Sequence, residues 1–118
     1  MENIKPKDLQ ERTFLFAQSV RRLVKLLPRT ICNLEDGRQL VRSSGSVAAN
    51  FVEANESLSK KDFLLRIKIC RKEAKESHLW LRLLEPGSAG NCEKEREALL
   101  REARELMLIL SSIISKNG

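Results

Sequence analysis

The sequence predicts an all-α, antiparallel up-down-up-down four-helix bundle, and three observations carry that prediction. Aromatic residues make up only 4% of the 118 residues and Tyr is absent, so the core has to be built from Leu, Ile, Val and Ala. Strands are normally enriched in aromatic and β-branched residues, so this palette favours interdigitating helices. Three Pro and five Gly are too few to punctuate an all-β chain. Apolar residues recur at alternating three- and four-residue steps along four separate segments, joined by short connections that make each helix the antiparallel neighbour of the next. The length fits a single domain spanning residues 1–118.

The first helix is expected over residues 6–27. Pro6 suits a first helical turn, and Asp8 and Glu11 place acid at the positive end of the helix dipole. Leu9, Phe16, Val20, Leu23 and Leu27 form its seam, with Thr13 the weak member, and Pro28 stops it. The second helix is expected over 36–58, with Leu40, Ser44, Val47, Phe51, Ala54 and Leu58 on its seam. Gly45 lies within it among Ser43, Ser44 and Ser46. A loop is one reading of that cluster, but the apolar phase continues across the glycine. A continuous helix with a small-residue face, open to close approach by a neighbour, is therefore the preferred reading.

The third helix is expected over 60–85, with Ser59 as N-cap and Asp62 completing a shape like a capping box. Phe63, Ile67, Cys70, Ala74, Ser77, Leu81 and Leu84 make an unbroken seam of the kind that packs at shallow crossing angles. A second apolar strip of Leu65, Ile69, Leu79 and Leu83, beside Trp80, exceeds what one core needs and suggests a contact between protomers. The cluster from Pro86 to Asn91 reads as a turn. The fourth helix is expected over 92–115, with Leu99, Ala103, Leu106, Leu110 and Ile113 on its seam.

Several function classes are disfavoured. Cys32, Cys70 and Cys92 are odd in number and contain no CxxC pair, which argues against a zinc framework or a disulfide scaffold. The polar N-terminus does not resemble a signal peptide, and no apolar run approaches a membrane span. The expectation is a cytoplasmic protein with no membrane association. His78 is the sole histidine. Cys70, eight residues earlier on the same helix, would sit roughly 12 Å from it along the axis, out of hydrogen-bond reach. Glu53, Glu73, Glu76 and His78 are the candidate metal ligands, but Glu73 and Glu76 stand five and two residues from His78, not the three that bundle di-metal sites use. There is no P-loop, GxGxxG or GxSxG motif. The chain therefore reads as no enzyme, with no catalytic residue, metal or cofactor.

Polar residues close to the seams of the second and third helices call for partners, because an unpaired buried carboxylate is costly. Arg42, Asn50, Glu53, Glu73 and Glu76 are read as a structural network that sets helix register, with Arg42 and Lys72 as the basic partners. A binding pocket is the alternative.

Formal net charge is +6 with a pI near 9.6, a balance that favours a polyanionic partner. The excess is local. Residues 7–29 hold six basic and two acidic side chains, and residues 60–82 hold eight basic and three acidic. Residues 35–58 carry a net −2, and residues 91–116 balance. Arg21, Arg22 and Lys25, with Lys68, Arg71, Lys72 and Lys75, are candidates for a surface that binds RNA or DNA phosphates. A solvated helix face is the alternative. No aromatic–Gly platform accompanies them, so base-specific reading is not expected.

The run Arg42-Ser43-Ser44-Gly45-Ser46-Val47-Ala48-Ala49-Asn50-Phe51-Val52-Glu53-Ala54 resembles an RS-small-small-S-I/V-small-A-N-x-x-E-A signature. It is the signature of a bacterial four-helix bundle family encoded in intervening sequences of 23S ribosomal RNA genes. Ser59-Lys60-Lys61-Asp62-Phe63, Lys72-Glu73-Ala74, Glu76-Ser77, and Trp80-Leu81 with Leu84 agree with it. Phe16-Ala17 through Val20 to Leu27-Pro28 looks like the family's first helix. The departures are Ser77 where Thr is common, Cys70 where Ala is common, and the lack of Tyr near Trp80. The resemblance implies a homopentameric ring with no known enzymatic activity. A related branch comprises the accessory proteins of diversity-generating retroelements, basic pentamers that bind nucleic acid and a reverse transcriptase. The expected function is thus an oligomeric adaptor that binds RNA or DNA non-specifically through basic helix faces. A protein-binding scaffold, for example for a reverse transcriptase, is the alternative.

Overall fold

A computed structural model describes residues 6–88 and 90–117, and the side chains from Asp8 onward. Residues 1–5, in the polar N-terminal stretch, Ala89, in the turn cluster, and Gly118 lie outside the described residues. The described chain forms four helices and no strand: α1 (Pro6–Leu26), α2 (Ile31–Asn55), α3 (Lys60–Leu83) and α4 (Cys92–Asn117). α2 packs on α1 and α3, and α4 packs on α3 and α1, whereas α1 and α3 do not pack on each other, nor α2 and α4. That pattern is compatible with a four-helix bundle. The α2–α3 contact is the most extensive and the α1–α4 contact the sparsest.

Most of the expected seam positions are buried, with Phe63 and Ile113 partly buried against the core. Leu9, Phe16, Val20, Leu23 and Leu27 from α1 and its end meet Leu40, Val47, Phe51 and Ala54 from α2 in the core. Ile67, Cys70, Ala74 and Leu81 meet Leu99, Ala103, Leu106 and Leu110 on the other side. Thr13 is fully buried and donates its hydroxyl to the Gln10 carbonyl oxygen at 3.0 Å, so its polar atom is satisfied within its own helix.

α2 is unbroken across Gly45. A Cβ at that position would lie 3.2 Å from Arg21 Nη2, so the small residue admits the arginine head from α1.

α2 differs from expectation at both ends. It begins at Ile31, five residues earlier than the apolar pattern suggested, because Thr30 caps it and accepts a hydrogen bond from the Asn33 amide at 3.1 Å. Its first inward positions are Asn33 and Gly37, which are buried but not apolar, so the hydrophobic period starts only at Leu40. α2 stops at Asn55, and Leu58, expected on the seam, is 98% exposed. α3 ends at Leu83 rather than Glu85: Leu84 already has extended backbone and Pro86 disfavours a helical residue before it. Leu84 nonetheless buries in the core.

Asn33 joins two loops. Its Nδ2 donates to the carbonyl oxygens of Pro28 (3.0 Å) and Glu85 (2.8 Å), and its Oδ1 accepts from the Glu85 amide at 2.8 Å. The α1–α2 connection is thereby held against the end of α3. Gly87 beside it takes a positive φ of 71°, which suits glycine.

Candidate nucleic-acid interface and interhelical polar network

The polar residues between α2 and α3 form a connected set. Glu73 is buried, and its Oε2 accepts from the Ser46 hydroxyl at 3.0 Å and from Arg42 Nη1 at 3.4 Å. Arg42 Nη2 also donates to Glu76 Oε1 at 3.1 Å. Asn50 Nδ2 donates to the carbonyl oxygen and hydroxyl of Ser46, and its Oδ1 accepts from Arg66 Nη1 at 3.0 Å. These groups satisfy one another across the helix contact, which fits a register lock. Glu73 Oε1 is buried without a protein partner among the described residues.

Two members differ from expectation. Glu53 is outside the network: it is exposed in the last turn of α2, lining a shallow groove with Glu56, Asp62 and Arg66. Lys72 does not enter the seam either. It pairs with Glu76 at 3.7 Å along its own helix and is mostly exposed. Ser46 and Arg66 take the inner roles, and Ser46 is the closer partner of Glu73. Ser46 lies four residues before Asn50 and Arg66 sixteen after it, and neither is apolar, so seam counting passed over them.

Deeper in the same contact, the Ser43 and Ser77 hydroxyls lie 2.8 Å apart, both fully buried. Ser77 donates to the Glu73 carbonyl oxygen at 2.9 Å, which leaves Ser43 as the donor to Ser77. Cys70 completes the layer, directing its thiol at the Val47 carbonyl oxygen at 3.5 Å. Burial pushes that thiol's pKa up to about 12, so it stays protonated and a poor nucleophile.

The seven basic candidates do not form one surface. Lys68, Arg71, Lys72 and Lys75 converge on a groove of about 540 Å³ between α3 and α4, completed by Met107 and Ser111. Arg71 Nη1 donates to Ser111 Oγ at 3.3 Å, which holds its head at the groove wall. Arg21, Arg22 and Lys25 stand apart, because α1 and α3 do not pack on each other. Arg21 lies along α1, donating to the Ala17 carbonyl oxygen at 3.0 Å, and covers Gly45 of α2. Arg22 donates to Ser19 and lines a groove of about 360 Å³ between α1 and α4 with Glu95 and Glu102, carboxylates that offset its charge. Glu102 also accepts two hydrogen bonds from Arg12, at 2.7 and 2.8 Å.

The second apolar strip of α3 divides. Leu65, Leu79 and Leu83 are exposed, while Trp80 packs against the core and Ile69 is half-buried. No group of three or more His, Cys, Asp or Glu among the described residues is arranged to hold a metal ion. No described helix is long and apolar enough to cross a membrane.

No match was found among curated proteins. A crystal structure of a protein of unknown function from the S23 ribosomal protein family of Bacteroides thetaiotaomicron is similar, with a TM-score of 0.75 at 28% identity. The similarity covers 89% of this chain and 96% of that one. The family model for the 23S rRNA-intervening sequence protein matches residues 7–112, and the chain belongs to that family.

Proposed function

We propose that this protein is a non-enzymatic, oligomeric adaptor that binds the phosphate backbone of RNA or DNA without reading sequence. The observation that carries the reading is the convergence of Lys68, Arg71, Lys72 and Lys75 on one groove between α3 and α4. Among the described residues, Lys68, Arg71 and Lys75 have no carboxylate within 4 Å, while Lys72 has only a long contact to Glu76. Like charges gathered without counter-charges repel, and a polyanion relieves that repulsion while releasing its own counterions. The groove holds no aromatic side chain on which bases could stack, which favours backbone contact over base readout.

The reading takes the bundle as antiparallel and up-down-up-down. Its support is the order of contacts: Ser43 meets Ser77, Val47 meets Cys70, and Asn50 meets Arg66, so numbers rise along α2 as they fall along α3. Self-assembly is supported by the exposed Leu65, Leu79 and Leu83 on α3, with Phe14 and Leu15 on α1 and Leu108 on α4. A homopentameric ring would repeat the α3–α4 groove around an axis and multiply a modest patch. A non-enzymatic role agrees with the protonated Cys70 thiol and with polar side chains between α2 and α3 that bond to one another.

Titration of a fluorescent mixed-sequence RNA at low salt tests the binding, with sedimentation reporting assembly. Saturable binding is expected, and its absence at low salt contradicts the reading. The same exposed leucines favour a second reading, a scaffold that docks a protein such as a reverse transcriptase. That reading predicts stable assembly with no affinity for RNA.

A further inference from the structure

The groove between α3 and α4 does not end at Lys75. A second concavity of about 430 Å³, lined by Lys72, Lys75, Glu76, His78, Leu79 and Arg82, shares Lys72 and Lys75 with it. Together they make one track along α3 from Lys68 to Arg82, fourteen residues or roughly 21 Å of helix. His78 is half-buried on this track. Its charged neighbours are Arg82 on its own helix and Arg104 on α4, with Lys75 one turn before it. The carboxylates nearby are engaged elsewhere. Glu76 pairs with Arg42 and Lys72, and Glu105 pairs with Arg12.

We infer that Lys75, His78 and Arg82 of α3 and Arg104 of α4 extend the basic groove into a single phosphate-binding seam, in which His78 becomes an additional cation when a polyanion is bound. The inference rests on the phosphate-binding reading above and deepens it. In the free protein, burial and the fields of Arg104 and Arg82 hold the imidazole below its ordinary pKa. A phosphate among the same cations reverses the local field and favours the imidazolium. Binding therefore takes up a proton, and affinity rises as pH falls through the window between the free and bound values. A structural histidine in a solvated groove would show no such coupling.

The test measures the affinity of a mixed-sequence RNA of about 15 nucleotides between pH 5.5 and 8.5, for the full chain and for its His78→Gln variant. The C2 proton of His78 is followed by NMR with and without the RNA. The expected result is an affinity that weakens by up to about tenfold per pH unit inside the window. The His78→Gln variant loses most of that dependence, and the His78 titration moves to higher pH in the complex. Arg104→Gln is expected to weaken binding at every pH. Binding with the same pH dependence in both proteins, or a His78 titration unmoved by RNA, overturns the inference while leaving the phosphate-binding reading intact. No binding at any pH overturns that reading, and this inference with it.

Discussion

The Ser43 hydroxyl donates to the Ser77 hydroxyl across 2.8 Å in the fully buried contact between α2 and α3, and Ser77 in turn donates a hydrogen bond to the Glu73 carbonyl oxygen. Each serine solves the other's burial, since a lone buried hydroxyl costs more than a hydrogen bond contributes net. Ser77→Ala, which strands the Ser43 hydroxyl with only a 3.4 Å contact to the Leu40 carbonyl oxygen, is expected to cost about 1–2 kcal/mol. The Ser43→Ala/Ser77→Ala double variant is expected to cost clearly less than the two single changes added together. Urea denaturation of all four proteins measures the coupling. Strict additivity would show that the pair contributes nothing as a pair.

The two glycines inside α2 should respond differently to alanine. Both have helical backbone, so Ala is favoured over Gly by roughly 0.5–1 kcal/mol before packing is considered. At Gly45 the new methyl meets Arg21 Nη2 at 3.2 Å, the end of a flexible side chain that can move aside. At Gly37 it meets Val24 Cγ1 at 3.3 Å, part of a stiff branched side chain packed against the core. Gly45→Ala is expected to raise the melting temperature, and Gly37→Ala to give less benefit or a loss. Thermal unfolding monitored by circular dichroism compares them.

Thiol reactivity should sort the three cysteines. Cys32 is exposed in the first turns of α2, whereas Cys70 and Cys92 are buried and direct their thiols at the carbonyl oxygens of Val47 and Leu26. With its pKa near 12, Cys70 holds almost no thiolate at neutral pH. Iodoacetamide on the native protein should label Cys32 rapidly and Cys70 only after denaturant is added. Mass spectrometry of timed samples reads the order, and early labelling of Cys70 would contradict the packing described for the α2–α3 layer.

Stability should depend on pH through His78. Its folded pKa lies below its ordinary 6.5, so the unfolded chain binds a proton more readily than the folded one near that pH. The stability is therefore complete above about 6.5 and declines as pH falls through the lower folded value. The melting temperature is expected to drop between pH 7.5 and pH 5, and His78→Gln should make that drop smaller. An unchanged drop in the variant would place its source in other groups.

Much of the architecture was legible because apolar period reports directly on burial. Phe16, Val20 and Leu23, and Ile67, Ala74 and Leu81, sit in the core where their spacing placed them. The start of α2 was not legible, since Asn33 and Gly37 bury a polar clasp and a close approach in place of apolar side chains. Leu58 misled for the opposite reason. It keeps the apolar phase after the helix has ended at Asn55, and phase carries no information about a backbone turn. The register lock was visible in Arg42, Asn50, Glu73 and Glu76, while Ser46 and Arg66 became visible only when the two helices met. For the basic residues the sequence reports charge per segment but not which helices are diagonal. Arg21, Arg22 and Lys25 therefore looked continuous with Lys68–Lys75 until the packing separated α1 from α3.

The proposed binding of phosphates in the α3–α4 groove should be read out in the salt dependence of RNA affinity. Log affinity should fall linearly with log salt, with a slope near −3 if four or five cations each meet a phosphate of a single strand. Replacing Lys68, Lys72 and Lys75 with Gln should bring that slope to roughly −1, while Arg21→Gln and Lys25→Gln leave it nearly unchanged. A slope insensitive to the three α3 lysines, or no affinity for RNA at low salt, would rule out phosphate binding by this groove.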